Sequence, residues 1–363
     1  MDSSGAHHGV GRPLVVAAVA AALLTAFLAL VTFGVTATSH PRGLPVVVAV
    51  DGTGPARATL ELAAGRLAAA PVEELEWRTA GSAVEARQLL DDKEAYGALV
   101  LQPGGPAAQV TVLVNGGMNA PGAQFAGVAL PQVAQRLGQQ LAPAAPGAQA
   151  DPAVRVETIN PASVAGRTAP VAASALLWIA ALVSAALAFV LLRRTALSRG
   201  RVLGARLLLA PVAGLTGAAV VAGFLALWDS GLDVGWPVLG FLALTGTAFA
   251  LLAGAVLSWL GLRGMALLVP LYLLAPAVAG QPAEFLAPAY RALLWSWTPF
   301  RFSAEGIRSL LLFEGAPGIG QPLVVLTAIA AGSLLLLLAA PQRAAAARSS
   351  ARVVPVPPSV HAG

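Results

Sequence analysis

The sequence contains no cysteine. That excludes disulfides, thiolate nucleophiles, cysteine-type zinc sites and iron–sulfur clusters. Charge is also scarce. Asp, Glu, Lys and Arg make up 11% of the 363 residues, against about 25% in an ordinary soluble domain. Among the cations one lysine, Lys93, stands against 21 arginines. No GxxxxGK[ST] stretch occurs, so the chain carries no P-loop ATPase of its own. The four histidines, His7, His8, His40 and His361, are too scattered for a tetrahedral metal set. A Ser/His/Asp set on a nucleophile elbow is missing too. No catalytic, cofactor-binding or metal-ligating residue is expected, and the chain does not read as an enzyme.

Apolar side chain is what the sequence has in excess. Hydrophobic residues make up 57% of it, and the mean hydropathy is +0.76. A soluble surface could not hide that much, and a disordered chain would not carry it; a bilayer accommodates it. Residues 13–35 hold no charge. At about 1.5 Å per residue such a run covers a hydrocarbon core of about 30 Å. It reads as an uncleaved anchor, with a signal peptide as the alternative. Later runs cover 169–192, 207–228, 237–260, 264–280 and 322–340. The fifth span carries Pro270 and Pro276 and should bend. Six spans leave both termini on one side.

Arginine placement orients them. With the N-terminus inside, ten arginines fall on the cytoplasmic side. Five of these lie in the loop 193–206: Arg193, Arg194, Arg199, Arg201 and Arg206. Only Arg291, Arg301 and Arg308 fall in short outside loops. The isoelectric point near 10.6 is thus the signature of topology, and no nucleic-acid partner is expected. The spans themselves hold no ionisable residue. Intramembrane charges mark proton relays, so a proton-driven transporter is disfavoured. Gly214, Gly217, Gly246 and Gly254 suit close helix packing.

Residues 37–168 form one extracytoplasmic segment. LPVVVAV (44–50) reads as a buried parallel strand. A helix over 55–70 places Leu60, Ala64 and Leu67 on one face. Strands are expected at 73–79, 96–101, 108–115 and 154–159, with Gly104-Gly105 as a turn. Ser82 with Glu85 forms a capping box before the next helix. A third helix covers 122–141. The order βαβαββαβ makes an α/β domain. Asp51-Gly52-Thr53-Gly54 looks like a broken dinucleotide fingerprint, but Arg57 stands where the third glycine belongs. It reads as ordinary turn chemistry.

The stretch 281–320 is outside yet rich in Leu, Trp and Phe. Trp295, Trp297, Phe300 and Phe302 suit the headgroup level, flanked by Arg291 and Arg308. Ser303 is expected to cap a helix with Ile307, Leu310 and Leu311 on one face. The segment is either an interfacial anchor or re-entrant. A seventh span over 285–298 is disfavoured by its length and by Arg291. The arginine loop 193–206 serves topology and anionic lipid, or docks a cytoplasmic subunit. The excess of Arg over Lys, with abundant Ala, Gly and Pro, points to a GC-rich bacterial genome.

Four stretches carry a family resemblance. LPVVVAVDGTG, SAVEARQLLDDKEAYGALVLQPGG, VTVLVNGGMNAPGAQF with Asn115 and Asn119, and SAEGIRSLLLFEGAPG occur in order. Together with one span, an outside α/β segment and five further spans, they resemble the YhgE/Pip-like branch of the ABC-2 type transporter permease superfamily. The resemblance implies a plasma-membrane permease that pairs with a separate cytoplasmic ATPase subunit as a homodimer or heterodimer. It supplies no catalytic residue and no cofactor. Residues 1–12 leave no room for the amphipathic helix that many such exporters carry before the first span. The alternative is a membrane-anchored envelope protein that binds a partner or ligand and transports nothing. The expected fold is thus a polytopic α-helical membrane protein with six transmembrane helices. In it, a tail (1–12) and a span (13–36) precede the α/β domain (37–168), and a five-helix membrane domain (169–340) and a tail (341–363) follow.

Overall fold

The computed structural model describes residues 11–70, 72–103, 108–141, 154–195 and 197–340. Most of both expected tails, with His7, His8, His361, Arg343, Arg348 and Arg352, lies outside the described residues, as does the Gly104-Gly105 turn.

Five helical runs are long and apolar enough to cross a membrane: Val15–Thr38, Val164–Leu192, Gly200–Trp228, Trp236–Ala279 and Gly320–Ala339. The fold is polytopic. The first run belongs to α1 (Gly11–Thr38), the second is α5 (Val164–Leu192) and the third is in α6 (Arg199–Trp228). The fourth spans 44 residues, which as one straight helix would measure about 66 Å. It is not straight. α7 (Trp236–Leu260) ends at Gly261, whose φ of 64° lies in the left-handed region. A 3₁₀ turn (Gly261–Gly264) leads into α8 (Met265–Leu274), followed by a π turn (Ala275–Ala279) containing Pro276. Residues 256 and 264 would stand about 12 Å apart along a straight helix. A Cβ on Gly264 would instead sit 2.8 Å from Val256 Cγ1, so the chain turns sharply there. The last run is α11 (Gly320–Ala339).

α5, α6, α7 and α11 pack into one apolar core. α6 and α7 approach most closely where Gly214 faces Gly246. A Cβ on Gly246 would lie 2.9 Å from Gly214 Cα, and one on Gly217 would meet Leu177 at 3.1 Å. Gly254 departs from the expected packing role, because nothing lies within 4 Å of its Cβ position. α6 also begins eight residues before its apolar run. The expected loop 193–206 is therefore a short connection followed by two turns of helix.

Between α1 and α5 lies a five-stranded sheet in the order β2-β1-β3-β4-β5. The strands are β1 (Leu44–Val50), β2 (Leu75–Ala80), β3 (Gly97–Gln102), β4 (Gln109–Asn115) and β5 (Val154–Ile159). β1 runs parallel to β2 and β3, β4 is antiparallel to β3, and β5 is parallel to β4. Helices α2 (Ala56–Ala69), α3 (Ala83–Asp91) and α4 (Ala120–Leu141) cover it. β1 is apolar throughout because both its faces are covered. Val46 and Val48 join one core with Leu60 of α2 and Leu130 of α4; Val47 and Ala49 join another with Leu90 of α3. Leu60 and Ala64 are buried as expected, while Leu67 is only half-buried. Ser82 caps α3 by accepting from Glu85 N–H at 3.2 Å, and the Glu85 carboxylate accepts from Gly81 N–H at 2.7 Å.

Candidate functional site at the junction of the α/β domain and the membrane helices

The junction is built from 281–320. Helix α10 (Pro299–Leu312) is its main element, preceded by a 3₁₀ turn (Ala283–Phe285), a single turn α9 (Pro288–Tyr290) and a π turn (Arg291–Trp295). No long helix covers 285–298. α10 starts five residues earlier than Ser303 would set it, and Ser303 is not its cap. It is buried, and its hydroxyl shares a 2.7 Å hydrogen bond with Ser174 of α5.

α10 is enclosed by protein rather than lying on a lipid surface. Towards the spans it presents Phe300, Ser303 and Ile307. The Phe300 ring meets Trp178 at 5.0 Å and Phe249 at 5.5 Å between centroids. This corrects the headgroup placement of Phe300 and Phe302, both of which are buried. Trp297 and Arg291 are exposed, and Trp295 is half-buried. Tyr290 donates to the Leu30 carbonyl of α1 at 3.0 Å, so the same segment also holds the first span.

Towards the α/β domain α10 presents Glu305, Arg308 and Ser309. Arg308 was expected to sit at the outer interface, but only 3% of it is exposed, and it donates to Glu305 at 2.5 Å. Lys93 donates to Glu305 at 3.1 Å and to Ser309 at 2.8 Å. Burial alone would raise the Glu305 carboxyl. The adjacent Arg308 and Lys93 charges, with their hydrogen bonds, outweigh it and hold the group down at about 2.

Backbone geometry explains why Lys93 reaches α10. It follows α3 in the left-handed region at φ 62°. Lys93 N–H donates to Leu90 O and Glu94 N–H to Leu89 O, the pattern of a Schellman end that normally takes glycine. A lysine there is strained, and its side chain is turned into the junction. The single lysine was informative in the sequence for a reason other than its absence from a P-loop: a helix closing on DDK without glycine.

A cavity of about 320 Å³ lies beside this ion cluster. Lys93, Tyr96, Asn119, Glu284, Arg301 and Glu305 are among the residues lining it. The Arg301 guanidinium stands 3.5 Å from the Trp295 ring centroid and 4.6 Å from that of Phe302. Its Nε–H is buried without a partner, as is Asn119 Oδ1. Burial lowers the Arg301 pKa from its ordinary value and raises that of Glu284. Burial, then Glu284 and Glu305, push the Tyr96 phenol well up. Asn115 and Asn119 part company here. Asn115 donates to Leu90 O at 2.6 Å and secures the end of α3, whereas Asn119 faces the cavity.

The arginines at the other end of the bundle are not equivalent. Arg193, Arg194 and Arg201 are exposed. Arg199 begins α6. Arg206 turns inward and donates to Ser258 Oγ of α7 at 2.7 Å, above the Phe189 ring. Among the described residues no group of three or more His, Cys, Asp or Glu could hold a metal ion. Comparison with models of known families, with curated proteins and with solved structures finds no match to this chain.

Proposed function

We propose that the chain is the membrane-embedded permease subunit of an ABC-2-like exporter. It crosses the plasma membrane six times with both termini cytoplasmic, and a separate ATPase subunit powers it as part of a homodimer or heterodimer. The observation that carries the reading is α10, keyed into the spans by Phe300 and Ser303 and into the α/β domain by Glu305 and Ser309. An exporter driven from the cytoplasm that releases its substrate outside needs such a rigid transmitter between spans and outer domain. The sharp turn at 261–264 supports counting Trp236–Ala279 as two crossings. Exposed Arg193, Arg194 and Arg201 are then the bidentate contacts for the ATPase.

The test is purification of the tagged chain from its native membranes. A subunit bearing a P-loop should co-purify with ATP-hydrolysing activity. Changing Arg193, Arg194 and Arg201 to Lys keeps topology and lipid attraction but loses the planar fork, and should weaken that association. The cavity favours a second reading, a membrane-anchored ligand-binding protein that transports nothing. An intact chain that purifies without any P-loop subunit would favour that reading instead.

A further inference from the structure

We propose that an anionic phospholipid binds at the end of the bundle away from the α/β domain, with its phosphate on Arg193 and Arg206 and an acyl chain in the groove between α5 and α8. The inference is independent of whether an ATPase drives the chain.

The two arginines converge on one ring. Their guanidinium carbons lie 5.2 and 5.7 Å from the Phe189 centroid, so at most about 11 Å separates them. Arg206 is fixed there by donating through one Nη to Ser258 Oγ at 2.7 Å, which leaves most of its five N–H donors for a ligand. Like charges this close repel, the more so at the border of a low-dielectric layer. Neither arginine belongs to an ion pair among the described residues. Residues 161–228, 234–283 and 315–363 contain no Asp or Glu at all. The counter-charge therefore comes from outside these helices. A phosphate answers it, because its oxygens accept from both planar forks.

The groove supplies the other half of the ligand. It encloses about 330 Å³, and Ile179, Val183 and Ala186 of α5 face Met265, Val269 and Tyr272 of α8 across it; no charged side chain lines it. Ile179, Val183 and Val269 are exposed, so the groove opens sideways from the bundle, where a membrane places lipid. Ile179, Ala186 and Arg193 follow one another at seven-residue steps, and Arg193 keeps a helical backbone at the end of α5. The three lie along one stripe of the helix, with about 10 Å of it between Ala186 and Arg193. The groove thus leads to the arginine pair. A soluble phosphate has nothing to place in it. A carboxylate of a soluble subunit would meet the exposed Arg194 and Arg201, and the second edge of the Arg193 fork stays open to such a partner. A phospholipid alone carries both the anion and the apolar chain.

The experiment uses the full chain in detergent. Native mass spectrometry titrates it with phosphatidylglycerol, phosphatidylcholine and glycerol 1-phosphate. Phosphatidylglycerol should bind several-fold tighter than phosphatidylcholine. Glycerol 1-phosphate has the phosphate without the chains and should bind at least about tenfold more weakly than phosphatidylglycerol. Arg206→Gln should weaken phosphatidylglycerol at least about tenfold, as expected for loss of a charge-assisted bond. Arg206→Lys keeps the charge but loses the stacked fork, and should fall between the two. Val183→Trp fills the groove without changing charge and should weaken phosphatidylglycerol several-fold. That variant decides the matter even if Arg206→Gln fails to fold. Glycerol 1-phosphate that binds as tightly as the lipid, untouched by Val183→Trp, overturns the proposal in favour of a free phosphate. Phosphatidylglycerol binding unchanged in both Arg206→Gln and Val183→Trp overturns it as well; loss of a co-purifying P-loop subunit from Arg206→Gln would then assign the pair to that subunit.

Discussion

Lys93 combines an unfavourable backbone with a favourable side chain. A non-glycine residue in the left-handed region costs about 1 kcal/mol or more, while removing a charged partner from Glu305 costs about 1–3 kcal/mol. Lys93→Gly relieves the first and incurs the second. Its melting midpoint in detergent should fall below that of the wild type, and Lys93→Ala, which keeps the strain, should fall further. A Lys93→Gly protein more stable than the wild type would mean that the ion cluster holds nothing. Glu305 adds a pH dependence. Its folded pKa of about 2 lies below the unfolded value of about 4.3. Its contribution is complete above about 4.3 and is lost as pH falls towards 2. Glu305→Gln should therefore flatten that part of the wild-type acid melting profile. Of the two Glu305 partners, Lys93 was not legible beforehand, because it lies 212 residues away, whereas Arg308 lies only three away. Sequence spacing hints at the second pair alone.

At the scale of elements, periodicity was a good guide where one face is buried and a poor one at helix ends. β1 and β5 begin and end where the apolar and alternating patterns place them. The capping box at Ser82 was readable because cap and partner are three residues apart. α6 was shortened because hydropathy marks only the apolar run, whereas its backbone hydrogen bonds continue through Arg201 and Arg206. Ser303 misled for the opposite reason. A serine before a helical pattern resembles a cap, but Pro299 at the first turn starts the helix earlier, and the hydroxyl serves the contact with Ser174. The glycines of the spans separate in the same way. Gly246→Val forces a Cβ against the Gly214 backbone and should cost about 1–3 kcal/mol, seen as a lower detergent melting midpoint. Gly254→Val meets open space and should melt within a degree or so of the wild type. Equal effects would place the α6–α7 contact elsewhere.

At the scale of the whole molecule, composition already separated membrane from water, and the α/β pattern of 37–168 was legible in strand and helix order. How the two parts meet was not. The junction is made by Phe285 and Phe313, which enter the core of the α/β domain from the 281–320 segment, and by Arg42, whose N–H donates to Glu284 O at 3.0 Å. Such contacts depend on assembly rather than on local pattern, and apolar residues in an outside loop read equally well as lipid anchors. With both sides seated on α10, the α/β domain and the spans form one mechanical unit.

The measurement that tests this most directly exploits the absence of native cysteine. Lys93→Cys and Glu305→Cys are combined in one chain, at side chains that meet at 3.1 Å and both line the cavity. Right-side-out vesicles are treated with a short, membrane-impermeant thiol cross-linker, and cross-linked peptides are identified by mass spectrometry. The expected result is a link between the 93 and 305 peptides formed from the outside. Separate labelling of the two thiols without a link would contradict the docked domain, and protection of both, with reaction only after permeabilisation, would contradict its placement outside the membrane.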